Sequence, residues 1–554
     1  MKKLYILPIA LFTLLLSSCS KDFLEGKQYD KIAPDYIFRT EANVMKGLYG
    51  VYDALPGDWL WSPLTHTANF MALDCQAGGW DLAWTTHEFD ADFSYFQDMW
   101  RISYSGIDRT NRFILGMNDA DPAIFSKVDK DVVAAEARAL RAWYYLNLAM
   151  VYSEQGNTGS ELGIPLLKEG ETYSSSPDKA RDTKADTYDF IITEFQFAKS
   201  KLDWAPYRDP YLKNANQYGR VTKGMCIAYE ALALMSIGDY TSAAPLWREL
   251  IDNGYYQLED DYENIHQLQY NYGPESIWEV AYPAVSNAGN WDNESNVRHW
   301  TKIKTAGQVT SGTGGWGSIY IANEWVNAFE GGLATADERL LASIVPAGGV
   351  NPYTNETVHS GYNQEGLAYN ALLKYWKEPC GYYIPNMYSS QPHILMRLGE
   401  VYLYYAECLY RTVGADQKVN GLSSWDCIQV IRDRAYGKLR NPSVVVPDGK
   451  TYYTNLLATK GYTKYDAFTL GLIWERRKES LNEYSLWYTF QRLGYDAINE
   501  YLVKEYGQNA VGGNGAPDWY YGKQFDAYRM NFPIPLTEMR TNPLMVQNDQ
   551  YATN

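Results

Sequence analysis

Histidine is scarce in this chain, with six residues in 554: His66, His87, His266, His299, His359 and His393. None stands in an HExxH motif or an i, i+4 ligand pair, so no zinc site of the helical kind is predicted. Cysteine is as sparse, again six, and no two are spaced as CxxC. That argues against a zinc ribbon or a thioredoxin-type motif. Cys226, Cys408 and Cys427 fall inside apolar helical patterns and read as buried thiols. A GxSxG nucleophile elbow and a Walker A loop are both absent. The glycine-rich run Gly312 to Gly317 lacks the Lys-Ser/Thr that a phosphate loop needs. Basic residues are outnumbered, 49 Lys and Arg against 66 Asp and Glu, for a net charge of −17. This disfavours nucleic acid or an anionic membrane surface as direct partners. No catalytic constellation stands out, and no cofactor or metal is expected. The carboxylates cannot be paired from sequence, which leaves a two-carboxylate glycosidase open.

Beyond the N-terminus there is no long hydrophobic run. At the N-terminus, Lys2 and Lys3 precede an apolar stretch from Leu4 to Leu16, too short to span a bilayer as a mature helix. Leu16-Ser17-Ser18-Cys19 then matches a lipobox. Residues 1–18 read as a lipoprotein signal peptide, with Cys19 lipidated and residues 19–554 hanging from a membrane. Two or more acyl chains suffice for stable anchoring.

What the chain has in excess is aromatic: 49 Tyr and 18 Trp. Most must serve packing, but such a surplus also suits stacking on sugars and other flat ligands. Helical period is clear in several stretches. Thr40 to Leu55 places Val44, Leu48, Val51 and Leu55 on one face, with Thr40 as N-cap. Phe96 to Asn118 follows. Ala134 to Gly156 has two working faces, a small stripe (Ala135, Ala139, Ala142, Ala149) and a large one (Leu140, Tyr144, Leu148, Val151), as a helix sandwiched between others requires. Gly156 is its expected stop. Thr187 to Leu202 is a further helix. Gly219 to Gly254 follows the small/large order of a tetratricopeptide unit, turning at Gly238-Asp239-Tyr240. A comparable pair recurs at Met396 to Arg411 and Ser424 to Ala435. Between these zones the chain is aromatic, Asn-rich and Gly-punctuated, with strand character in Ser276 to Pro283. The predicted fold is mainly α: tetratricopeptide-like helix pairs packed into one domain. The scaffold occupies about residues 36–255 and 393–495, and a loop-rich, irregular insert of about 256–392 forms the ligand-binding face.

Particular motifs narrow this further. The helix AEARALRAWYYLNLAMVY closely resembles the signature helix of the SusD-like (RagB/SusD) family of outer-membrane nutrient-binding lipoproteins. Ser20 to Glu25 resembles that family's opening, and WRISYSGIDRTNRFI its preceding helix. The segment with Phe329, Asp337 and Arg339, the helix LIWERRKESL, and the closing FPIPLTEMRTNPLMVQNDQY are similar in the same order. After LIWERRKESL the chain departs, with Thr489 where the family pattern has Asp. Glu475-Arg476-Arg477 reads as an ion-paired structural helix rather than a catalytic acid.

The resemblance implies a non-catalytic protein at the outer-membrane surface that captures oligosaccharide or another nutrient and delivers it to a TonB-dependent transporter barrel. Two irregular zones combine tryptophan with Gly, Asn and Asp, as sugar stacking and hydroxyl binding require. The expected ligand residues are Trp80, Asp81 and Trp84 in one, and Asn290, Trp291 and Trp316 in the other. Trp143 and Trp247, on periodic faces, are expected in the core. Competing readings are a surface glycoside hydrolase, a binder of peptide or glycoprotein, and a structural lid for a transporter.

Overall fold

Most of the longer helices begin where a polar cap precedes an apolar period. The computed structural model describes residues 34–55, 70–77, 81–171, 178–204, 219–281, 308–309, 319–360, 370–378, 391–483, 486–507 and 525–551. The longer helices are α1 (Glu41–Tyr52), α2 (Ser94–Asp119), α3 (Lys130–Tyr152), α4 (Lys184–Lys201), α5 (Lys223–Ser236), α6 (Tyr240–Asp252), α7 (Leu398–Val413), α8 (Ser424–Ala435), α9 (Gly449–Lys460), α10 (Ala467–Glu479), α11 (Leu486–Leu493) and α12 (Tyr495–Tyr506). The Thr40, Thr183, Thr222, Asp239, Asp448 and Asp466 side chains each accept from a backbone N–H of the first turn. Ser423 and Asp426 close a reciprocal capping box. Each such cap contributes about 1 kcal/mol.

The central helix α3 corrects the expected Ala134 to Gly156. Asp129 caps it a turn earlier, accepting from Asp131 N. It ends at Tyr152, and Gly156 lies beyond it at φ +117°. Its two-faced character holds: α3 packs against α2 on one side and α4 on the other. The approach to α2 is so close that a Cβ on Gly106 would lie 2.6 Å from the Tyr144 ring. From α4 the stack continues through α5, α6, α7 and α8, with α10 packed on α7, α8 and α9. Ala139, Ala142, Ala231 and Ala243 are fully buried in it. The expected turn between α5 and α6 is present, with Gly238 at φ +82°. Trp143 and Trp247 are core residues, the latter stacked on Tyr404 with centroids 4.8 Å apart. The fold is mainly α, and no described helix is long and apolar enough to cross a membrane.

Strands among the described residues are short and paired in twos, all antiparallel. They are β1 (Cys75–Ala77), β2 (Ser276–Val280), β3 (Gln308–Val309), β4 (Ile319–Ile321), β5 (Ile344–Val345), β6 (Val358–Ser360), β7 (Ala371–Leu372) and β8 (His393–Arg397). β1 pairs with β4, so a strand ahead of α2 is joined to the insert, with Cys75 opposite Ile321. β2 pairs with β8, bringing Val280 opposite His393 and Ser276 opposite Arg397. The remaining pairs, β3–β6 and β5–β7, lie within the insert. Cys75, Cys226, Cys408 and Cys427 are buried free thiols.

Candidate ligand-binding face and the ion cluster beneath it

Two of the expected ligand residues fall within the described chain, and neither is a surface platform. Trp84 lies in the short helix Leu82–Thr86 and is fully buried. Its ring meets Phe96 at 5.2 Å, Phe89 and Phe93 at 5.4 Å and Phe532 at 6.1 Å. These contacts correct the reading of Trp84 as a stacking surface: it is a core residue tying the N-terminal part to the C-terminal segment. Asp81, only 3% exposed, accepts a hydrogen bond from the Tyr95 hydroxyl. Its carboxylate therefore anchors α2 rather than facing solvent. Trp80, Asn290, Trp291, Trp316 and Cys19 lie outside the described residues.

Between the insert and the scaffold the structure reveals a buried ion cluster that sequence reasoning reached only in part. Arg397, at the end of β8, is its hub. Its Nη1 donates to Glu275 Oε1 at 2.8 Å and Glu479 Oε1 at 2.5 Å. Its Nε donates to Glu483 Oε2 at 2.7 Å, and its Nη2 to the Glu479 carbonyl at 2.7 Å. Arg434 of α8 joins Glu275, at 3.0 Å, and Glu479. From the insert, Arg339 reaches Asp337 at 2.6 Å, Glu475 at 2.8 Å and Glu479 at 3.2 Å. Lys374, also from the insert, reaches Glu483 at 2.6 Å.

Helix geometry explains the arrangement. Glu475 and Glu479 are one turn apart on α10 and so share a face, which points at Arg339. Arg477, two residues on from Glu475, points the other way and pairs with Asp74 beside β1 at 2.8 Å. The Tyr506 hydroxyl donates to the same carboxylate at 2.7 Å. Arg476 lies over the Tyr404 ring at 4.1 Å and 3.6 Å from Glu407. The expected ion-paired structural helix is present. Where the family pattern has Asp, the Thr489 hydroxyl accepts from Arg492, at 3.1 Å, and Glu407 supplies that arginine's carboxylate at 2.7 Å.

The electrostatics are those of a clamp. Four cations (Arg339, Arg397, Arg434, Lys374) face five carboxylates (Asp337, Glu275, Glu475, Glu479, Glu483), and Glu475 is shared with Arg432 at 2.9 Å. Burial pushes the Glu479 carboxyl up, but Arg434, Arg397 and Arg339 outweigh it and hold it down to about 2. Glu483 is likewise held well below the carboxylate range against its burial, by Arg397 and Lys374. Burial drives His266 down to about 4, so its ring is neutral at pH 7 beside Glu483. Carboxylates pinned in the ionised form do not suit general-acid work, which needs a raised pKa. Among the described residues no group of three or more His, Cys, Asp or Glu could hold a metal ion.

Comparison with known proteins fits this architecture at both ends. A model described as "SusD family" matches residues 274–551, and one described as "Starch-binding associating with outer membrane" matches residues 22–218. The chain belongs to the SusD family. A SusD-like protein of Formosa agariphila is 22% identical to it, over 99% of this chain and 98% of its own. Among solved SusD-type structures, surface glycan-binding protein A from Bacteroides fluxus superposes with a TM-score of 0.69 at 18% identity, covering 93% of this chain and 100% of its own. Surface glycan-binding protein A from Bacteroides thetaiotaomicron, in complex with laminarihexaose, gives 0.67 at 19% identity, over 92% and 99%. Of the SusD-type blocks, α2, α3 and the closing segment contribute to the core, and α10 supplies Glu475 and Glu479 to the ion cluster.

Proposed function

We propose that this protein is a cell-surface glycan-capture lipoprotein, anchored through lipid at Cys19, that hands its ligand to a TonB-dependent barrel in the outer membrane. Membership of the SusD family, with family models covering both halves of the chain, carries the reading. Relatives of the same fold are named for glycan binding, one of them in complex with laminarihexaose. The helix pairs act as a rigid platform. The ion cluster fixes where the insert leaves and re-enters it. Trp80, Asn290, Trp291 and Trp316 supply the platforms and polar rim, with Trp84 and Asp81 as the packed support under the first zone.

Affinity electrophoresis through gels cast with soluble polysaccharides tests the capture step, and reducing-end release from the same panel tests for catalysis. Retardation by at least one polysaccharide without release is expected. Retardation by none, or release of reducing ends, would overturn the proposal. Delivery is tested by pull-down from detergent-solubilised outer membranes, which should recover a large barrel protein. Recovery of soluble proteins alone across several detergents would refute that part.

A further inference from the structure

The helix scaffold carries an exposed aromatic stack that lies outside the insert. The α6 helix ends at Asp252, and Gly254 turns the chain at φ +80°. The two tyrosines that follow point opposite ways. Tyr256 is 3% exposed and packs so tightly that a Cβ on Gly224 would meet its hydroxyl. Tyr255 is 52% exposed. Its ring lies parallel to that of Trp204, with 18° between the planes and 6.0 Å between centroids. Lys223 Nζ sits 4.7 Å from the centre of the Trp204 ring and 3.7 Å from Glu249. Asn253 Oδ1 accepts from Tyr255 N at 2.7 Å, which fixes the turn.

Two other parallel ring pairs on the scaffold are packing devices. Trp247 with Tyr404, and Phe195 with Tyr229, are buried on both sides. A ring held flat against a second ring, braced by a lysine and left half open to water, gains little for the core. It is suited to receive the C–H face of a pyranose, with the half-exposed polar tips of Lys223 and Glu249 close to the stack. The position is also apt. Gln257 N donates to Pro274 O at 3.0 Å, and Trp278 Nε1 donates to Gly219 O at 3.0 Å. The stack therefore stands at the border where scaffold gives way to β2 and the insert.

We propose that Tyr255, backed by Trp204, is an outlying subsite for a neutral sugar residue of an extended glycan whose main contacts are on the insert. A neutral residue is inferred because the lysine at the stack is already engaged by Glu249 and the Trp204 ring. The inference rests on the glycan-binding reading above. Losing one platform should weaken binding about threefold to tenfold.

The test uses the full chain as wild type, Tyr255→Ala and Tyr255→Phe, in affinity gels containing laminarin, starch, xyloglucan, xylan, mannan or pectin. With any polysaccharide that retards the wild type, Tyr255→Ala should bind threefold to tenfold more weakly. Tyr255→Phe should bind like wild type, and thermal melting should be the same for all three. If Tyr255→Ala is retarded like wild type, the outlying subsite is refuted and the glycan-capture reading stands. If no polysaccharide retards the wild type, both fall.

Discussion

Replacing Arg397 by methionine is the most direct probe of how the insert is held. The side chain is fully buried and makes five hydrogen bonds, to Glu275, to Glu483 twice, and to the carboxylate and carbonyl of Glu479. Without it, Glu483 keeps Lys374 and His266, while Glu275 and Glu479 must share Arg434, Glu479 also keeping Arg339. The fully buried pocket is left with one more negative charge uncompensated. Removing one partner from a buried ion pair costs about 3–5 kcal/mol, and that is the loss expected from urea unfolding followed by circular dichroism at pH 7. The acid limb should shift too. Glu479 and Glu483 have depressed folded pKa values, so their contribution is complete above the ordinary carboxylate pKa and is lost as pH falls towards 2. With Arg397 gone, the window moves to higher pH. Arg397→Met/Glu483→Gln should lose less than the sum of the two single variants, with a coupling of about 0.5–3 kcal/mol. A single-variant loss below about 1 kcal/mol, or strict additivity, would show that the cluster is not a coupled clamp.

Other perturbations separate core from site and anchor. Trp84→Ala should lower stability by about 3–5 kcal/mol in the same unfolding assay, as loss of a buried aromatic does; a near-neutral effect would contradict its placement in the core. Ala139→Leu should cost about 1–3 kcal/mol, because the neighbouring helices leave no room for three more carbons. His266 is held at about 4 in the fold against an ordinary 6.5. Its neutral ring therefore contributes fully above pH 6.5, and about 3 kcal/mol is lost as pH falls from 6.5 to 4. His266→Gln should flatten that part of the stability–pH curve, and an unchanged slope would count against it. Cys19→Ala should leave unprocessed precursor or released protein; fractionation and palmitate labelling like wild type would refute the lipid anchor.

Much of the helical scaffold was legible from local pattern. Thr40, Gly238 and the stripes on α3 announced themselves because caps, turns and apolar period act over a few residues. The start of α3 was misplaced because its apolar stripe begins at Val133, whereas the cap that sets the terminus is Asp129. Trp84 was misread for a related reason. Its helix is a little over one turn long, too short to display a period, and part of its packing comes from Phe532 at the far end of the chain. The ion cluster lay deeper still. Asp74 and Arg477 are 403 residues apart, and Glu275 and Arg434 are 159 apart. No spacing rule reaches that far, so Glu475-Arg476-Arg477 could be recognised as ion-paired while its partners could not be named. Tyr255 carried a faint signal, a glycine turn followed by two tyrosines, but which of the two faces solvent is decided by the close packing of Tyr256 on Gly224 of α5.

The pairing of β2 with β8 has a consequence for how this chain can change. Val280 and His393 sit opposite one another, about 5 Å apart as antiparallel partners are, so the chain leaves and re-enters the scaffold there side by side, with β4 between them tied back to β1. The entropy of closing such a loop grows only with the logarithm of its length, and doubling the intervening chain adds about 0.6 kcal/mol. Length changes between those two residues are therefore cheap for the helix stack where they spare the segments that enter the core, such as β4, Trp325, Phe329, Leu340 and Leu372, and leave Arg339 and Lys374 paired with Glu479 and Glu483. A chain built this way can lengthen or shorten the stretches between such anchors without renegotiating its core.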